Sequence, residues 1–289
     1  MSVCGTTCPF SLNQATPSSP QGQTIGQAAA SAYPGRVALV GAGPGDPELL
    51  TCKAARLIAE ADWLVHDALV QPAVIAMARR ATIIPVGKRA GNPSARQSAI
   101  NQTLLDCARQ GGLTVRLKGG DPLIFARAQE ELDTLRAAGI QVDVVPGIST
   151  AQAAHAALAL PMTARGHRRA LVLATPQVQA EPATAAITGN IPPAPSPAHA
   201  SPYLSGWAAA VAAAGSGSLY MAATIADQVR HLLLDHGMPA ETPTLWMIDV
   251  SLPTQAVIPG TLGTLSRPPA DYAGRPALLI LGMQPAIIP

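Results

Sequence analysis

Residues 36–47 read RVALVGAGPGDP: an apolar run that ends in Gly41-Ala42-Gly43-Pro44-Gly45 and then in Asp46-Pro47. The run has the composition of a buried strand, the glycines permit a tight turn, and an Asp followed by Pro opens a helix. The same succession recurs at residues 113–122, LTVRLKGGDP, where Gly119-Gly120 precede Asp121-Pro122. A strand feeding a helix through a glycine turn, twice in one chain, specifies βαβ units and a parallel sheet covered on both faces.

Working outward, DWLVHD (62–67), TIIPVG (82–87) and QVDVVPG (141–147) supply three more strand-like runs, each followed by an Ala- and Leu-rich stretch. The helix after Asp121 is expected to run through LIFARAQEELDTLRAAG and to stop at Gly139. A second alternation begins with RRALVLAT and continues in GSLYMAA, TIADQVRHLLLDHG, TPTLWMIDV, QAVIPGTL and PALLILGM. Some of these strands lie close enough in sequence to pair antiparallel. The expected fold class is therefore two α/β domains, a parallel sheet in the first and a mixed sheet in the second, with a cleft between them. The expected division is 1–34 as a disordered N-terminal extension, 35–160 as the first domain and 161–289 as the second. A mobile Pro/Ala-rich insertion is expected at about 176–205.

Composition narrows the function classes. With 48% hydrophobic residues and 12% charged residues the chain can bury a substantial core, and a globally disordered protein is excluded. Its apolar runs are shorter than the ~20 residues that cross a bilayer, so no membrane partner is expected. A net charge of +2 and 3% aromatic residues give neither the charge nor the stacking platforms of a nucleic-acid binder. Residues 1–34 lack the basic start and apolar run of a secretory signal, and the four cysteines form no paired metal spacing beyond Cys4 and Cys8. A cytoplasmic protein without a metal is expected.

The chemistry-bearing positions cluster at strand ends, where an open sheet of this class binds its ligand. Residues 41–45 read either as a tight structural turn or as a ligand loop; a dinucleotide fingerprint is weak, because Asp46 takes its third glycine's place and Pro44 lacks an N–H. An Asp ending each glycine loop disfavours a polyanionic phosphate and suits a cationic or hydroxyl-rich ligand. In Val145-Pro146-Gly147-Ile148-Ser149-Thr150, ordinary helix capping and ligand binding are both open. Asp67 and Lys88 end the second and third strands, as a surface ion pair or as a proton acceptor and donor in one cleft.

Taken in order, GAGPGDPELLT, the strand-ending Asp67, VGKRAG, VRLKGGDP and VVPGIS resemble the tetrapyrrole methylase family, most closely its uroporphyrinogen-III C-methyltransferases. The resemblance spans residues 36–283 and is densest up to Thr163. It implies S-adenosylmethionine held in the cleft between the two domains, S-adenosylhomocysteine as product, and a homodimer. It also implies methylation of uroporphyrinogen III to precorrin-2, on the way to sirohaem or cobalamin. Carried over by position, Pro44, Gly119, Gly120, Asp121, Ile124, Ser149, Thr150, Met221 and Val250 are the cofactor contacts. Asp67 and Lys88 are the proton acceptor and donor. A substrate with eight carboxylates needs cations, and Arg89, Arg127 and Arg165, with Lys88, Arg168 and Arg169, are the available set.

Departures from the family pattern gather on the tetrapyrrole side. His66 and Ala68 flank Asp67 where the family has Tyr and Arg, GRGGEE becomes residues 126–131 ARAQEE, and Glu-Asn-Gly becomes Ile248-Asp249-Val250. Val250 in place of a glycine would narrow the cofactor pocket. Two further readings thus stand beside the active methyltransferase: an enzyme for another tetrapyrrole, and a cofactor-binding scaffold or regulator without turnover; a dehydrogenase is a remote fourth. His155 reads as a packed residue, Cys52 and Cys107 as small apolar fillers, and Trp63, Trp207 and Trp246 as packing.

Overall fold

The computed structural model describes residues 34–86, 93–165, 169–176 and 202–283. The expected N-terminal extension, and most of the expected insertion, lie outside them.

The first sheet has the order β3-β2-β4-β1-β5, built from β1 (Gly35–Gly41), β2 (Trp63–His66), β3 (Thr82–Pro85), β4 (Gly112–Lys118) and β5 (Val142–Val145). Every pairing in it is parallel, as the strand-turn-helix succession requires. Side chains alternate between faces along β1. Ala38 and Val40 pack with Ala54, Leu57 and Ile58 of helix α1 (Cys52–Glu60) and with Val74 of α2 (Pro72–Ile75). Val37 and Leu39 pack with Leu104 of α3 (Pro93–Gln110) and with Leu132 and Leu135 of α4 (Ala128–Ala137).

The second sheet has the order β6-β7-β10-β8-β9, with β6 (Leu173–Ala174), β7 (Gly217–Tyr220), β8 (Pro243–Ile248), β9 (Ala256–Thr261) and β10 (Ala277–Leu281). Only β6 and β7 run parallel; the remaining pairs are antiparallel, so the sheet is mixed. One face carries α6 (Pro202–Ala214) and α7 (Ala226–Asp235) over Leu219, Trp246, Ile248 and Leu279. The other face packs Leu245, Met247, Leu278 and Ile280 against Ala151 and Ala154 of α5 (Thr150–Ala157), the helix that follows the last strand of the first sheet. That helix joins the two halves. His155 on it is buried between the carbonyl of Leu160, 3.0 Å from Nδ1, and the Ser218 hydroxyl, 3.3 Å from Nε2.

Local chemistry moves several expected boundaries. Asp46 caps a single 3-10 turn at Pro47–Leu49 by accepting from the Glu48 N–H at 2.9 Å, and Thr51 caps α1 itself. After Asp121-Pro122 the chain turns instead of entering a helix, passing through Phe125 and Arg127 at φ 50° and 54° before α4 begins at Ala128. Gly139, at φ 72°, ends the region as expected, its N–H donating to the Arg136 carbonyl. Residues 202–205, expected inside the insertion, begin α6, whose Ala-rich composition is a helix signal that the run of prolines before it obscures. Cys52 is exposed and no filler, whereas Cys107 is buried and burial pushes its thiol up to about 11. The indoles of Trp63 and Trp246 donate to the carbonyls of Gly111 and Ser266 while their rings pack. No helix among the described residues is long and apolar enough to cross a membrane.

Candidate active site

Three glycine-bearing loops meet at the carboxyl ends of the first sheet. Gly43 and Gly120 form an antiparallel bridge, with the Gly120 N–H donating to the Gly43 carbonyl at 2.7 Å and the reverse bond at 3.2 Å. Beneath them Gly41 and Gly147 lie in mutual contact. A Cβ on Gly41 would fall 2.6 Å from the Gly147 Cα, and one on Gly147 would fall 2.3 Å from the Gly120 carbonyl oxygen. At Gly41 and Gly147 the missing Cβ lets loop touch loop, which separates these two from Gly119. A Cβ there would meet nothing nearer than Leu69, at 3.7 Å, and Gly119 faces the cavity.

The cavity above the loops has a volume of about 470 Å³, within the roughly 300–1,000 Å³ of small-molecule sites. From the first half of the chain it is lined by Pro44, Gly119, Gly120, Asp121, Ile124, Ser149 and Thr150, with Asp67 and Lys118 at the strand ends. The second half contributes Met221, Val250, Asp249 and Arg275. Every cofactor contact expected from sequence thus borders one space. Lys88 and Arg89 lie outside the described residues, as does Arg168.

Arg127 and Arg165 do not line the cavity. Arg127 donates to Glu130 at 2.6 and 2.7 Å, and Arg165 and Arg169 are exposed. Among the described residues the cations facing the cavity are Lys118 and Arg275, against the carboxylates Asp67, Asp121 and Asp249. This lining suits a cationic ligand better than a polyanion. Asp46, expected to contribute charge, does not line the cavity. Asp121 does, while its oxygens accept from the backbone N–H groups of Leu123 at 2.8 Å and Gly147 at 3.1 Å. At the loop left open between capping and binding, Ser149 caps α5 through a reciprocal pair with Gln152 and also borders the cavity.

Asp67 sits on a charged network that sequence reading missed. Its Oδ1 accepts from Arg116 Nη2 at 2.7 Å, and Arg116, Glu131 and Lys118 are respectively 1%, 0% and 2% exposed. Burial and the neighbouring Arg116 lower the Lys118 ammonium below its ordinary value of 10.5, and Glu131 opposes them. The available signal was two basic residues, Arg116 and Lys118, on a strand paired on both sides, where each requires a counter-ion.

The facing wall is held differently. Asp249, at φ 46°, accepts from Arg275 Nε at 2.8 Å and from the Thr254 hydroxyl at 2.8 Å. Ser251, at φ 69°, accepts from the Asp46 N–H at 3.1 Å, and Leu252 packs so near Gly45 that a Cβ there would lie 2.7 Å from its Cδ2. Phe125 and Tyr220 meet across the cavity with ring centroids 5.2 Å apart, and the Tyr220 hydroxyl accepts from the Ala151 N–H. Met221 follows β7 in a left-handed conformation, at φ 56°, and is half-exposed.

Comparisons with known proteins agree with this geometry. The model of the Tetrapyrrole (Corrin/Porphyrin) Methylases matches residues 36–266. A siroheme synthase of Edwardsiella ictaluri is 40% identical over 249 residues, 86% of this chain and 49% of the relative. One of Nitrosococcus oceani is 38% identical over 260 residues, covering 88% and 51%. The chain thus spans about half the length of the curated relatives it matches. The crystal structure of a uroporphyrin-III C-methyl transferase from Thermus thermophilus complexed with S-adenyl homocysteine superposes with a TM-score of 0.67 at 33% identity, covering 86% of this chain and 97% of that one. With its motifs, its two sheets and its shared cavity, the chain belongs to the tetrapyrrole methylase family, whose members are S-adenosylmethionine-dependent methyltransferases.

Proposed function

We propose that the chain binds S-adenosylmethionine in the cavity between its two sheets and methylates uroporphyrinogen III on ring carbons, yielding precorrin-2. The observation that carries this reading is the convergence of the glycine loops, Met221 and Val250 on one cavity with Asp67 at its floor. The residues present fit the cofactor. Gly119 leaves room for a ligand, and the lining carries three carboxylates against two cations, each cation already paired. When bound, S-adenosylmethionine supplies a methyl group already activated by its sulfonium.

The protein's part is then alignment and proton removal. Gly119, Gly120, Ser149 and Thr150 hold one side of the cavity, and Met221 and Val250 hold the other. Leu252 on Gly45 and the Phe125–Tyr220 pair bring the two halves together beside the cavity. Asp67, with side-chain exposure of 32%, is open to the cavity and accepts the proton that the macrocycle must lose elsewhere once one of its substituted ring carbons is methylated. The substrate's carboxylates are met outside the cavity, where Arg127, Arg165 and Arg169 lie. The division near residue 160, the homodimer and the cytoplasmic location belong to the same proposal.

Purified protein given S-adenosylmethionine and uroporphyrinogen III is expected to form S-adenosylhomocysteine and precorrin-2, followed by chromatography and visible absorption. Calorimetry with S-adenosylhomocysteine measures the cavity independently. Binding without turnover on any tetrapyrrole would favour the scaffold reading that the substitutions at residues 248–250 motivate. Turnover on a different tetrapyrrole would retain the chemistry and change the substrate.

A further inference from the structure

We propose that Glu131 is a positioning residue for the proton acceptor: it fixes Arg116 against Asp67 and keeps Lys118 at the cavity floor. This rests on the reading of Asp67 given above. Glu131 stands in the first turn of α4, is fully buried, and does not line the cavity, so it touches no ligand there. It acts through its neighbours.

The geometry is specific. Glu131 Oε1 accepts from Arg116 Nε at 3.2 Å and Nη2 at 3.1 Å, from Lys118 Nζ at 2.8 Å, and from Gln97 Nε2 at 3.2 Å. Two bonds from one guanidinium edge to one oxygen set the plane of the Arg116 head group. The Nη2 so oriented also donates to Asp67 Oδ1 at 2.7 Å, while Nη1 donates to the Leu117 carbonyl at 3.3 Å. Asp67 is thereby tied to helix α4 through a single buried arginine.

Charge explains why the third group must be a carboxylate. Arg116 and Lys118 are two residues apart on β4 and so project to the same face, where two buried cations repel. Glu131 contacts both, and Lys118 is lowered by burial and by Arg116 while Glu131 acts against that. A neutral residue at 131 leaves the two cations unscreened, and Arg116 swings away from the strand end. Glu131 Oε2 is buried and takes no hydrogen bond among the described residues, so this carboxylate is held by what Oε1 does.

The test uses the full chain with Glu131→Gln, Asp67→Asn and the double variant. Turnover is measured with S-adenosylmethionine and uroporphyrinogen III, S-adenosylhomocysteine binding by calorimetry, and stability in urea. Glu131→Gln is expected to lower kcat by about 30-fold or more, with KM and the S-adenosylhomocysteine Kd within about threefold, since a misplaced general base loses part of its ~10²–10⁴-fold contribution. The double variant should be no slower than Asp67→Asn alone. An unchanged kcat, a rise in KM alone, or losses that multiply in the double variant would overturn the proposal. If the wild-type chain turns over nothing, the methyl-transfer reading fails and the urea cycle decides this one: non-additive destabilisation by the two substitutions supports it, and additive values sink it. If Glu131→Gln does not fold, Gln97→Met removes one donor to the same oxygen from outside the cavity. It should then lower kcat about three- to tenfold at constant KM, and an unaltered kcat overturns the claim.

Discussion

The two walls of the cavity are built on different principles. The floor, made by the ends of β1, β2, β4 and β5, uses fully buried charges paired with one another and glycines packed on glycines. The facing wall, made by the turns after β7 and β8, uses left-handed conformations at Met221, Asp249 and Ser251, and an Arg275–Asp249 pair with side-chain exposures of 29% and 10%. A close-packed floor admits no added atom without displacing a neighbour. A wall of partly exposed turns can exchange side chains at modest cost, and it is where Ile248-Asp249-Val250 depart from the family's Glu-Asn-Gly. The chemistry is expected to reside in the floor and ligand preference in the wall.

Asp67→Asn is the sharpest way to separate them. Turnover should fall by roughly 10²–10⁴-fold with S-adenosylhomocysteine binding retained, and equal losses in binding and turnover would place Asp67 with the wall. Next, Gly147→Ala drives a Cβ into the Gly120 carbonyl and the Gly41 Cα, at 2.3 and 2.9 Å. It should cost about 1–3 kcal/mol in urea unfolding and weaken cofactor binding, since both partners are backbone and cannot rotate away.

On the wall, Val250→Gly should tighten S-adenosylhomocysteine binding by about three- to tenfold in calorimetry if the buried valine narrows the site. Unchanged affinity would separate Val250 from the ligand. The smallest effect concerns Lys118, whose folded-state value is lowered by burial. Between that value and the ordinary 10.5 the unfolded chain binds more protons, so this group's contribution to stability should grow as pH rises through that interval. Lys118→Met should flatten the trend in urea midpoints.

Local patterns were sufficient for much of the floor. Alternating apolar residues bounded by glycine and Asp-Pro mark β1 and β4, and parallel pairing follows from the helices between strands. That the loops carrying Pro44, Gly119, Gly120, Asp121, Ser149 and Thr150 border one cavity was legible because each follows a strand, and strand ends in such a sheet face one crevice. The Arg116–Glu131–Lys118 network was not legible. Its members stand up to fifteen positions apart, and nothing in sequence says that α4 lays Glu131 over β4. Nor did sequence show that Arg127 and Arg165, expected to meet substrate, stand outside the cavity, where Arg127 adopts φ 54° and pairs with Glu130.

Sequence by itself determined two α/β units, the parallel pairing of the first sheet and which loops border the cavity. Those properties follow from period, turn residues and caps, which act over a few neighbouring positions. Tertiary structure alone decided which cations face the cavity, that Asp121 holds its own loop, that α5 fastens one half to the other, and that Asp67 pairs with an arginine that also pairs with a buried glutamate. Each of these depends on distance and dielectric between elements remote in the chain, quantities that no stretch of sequence contains.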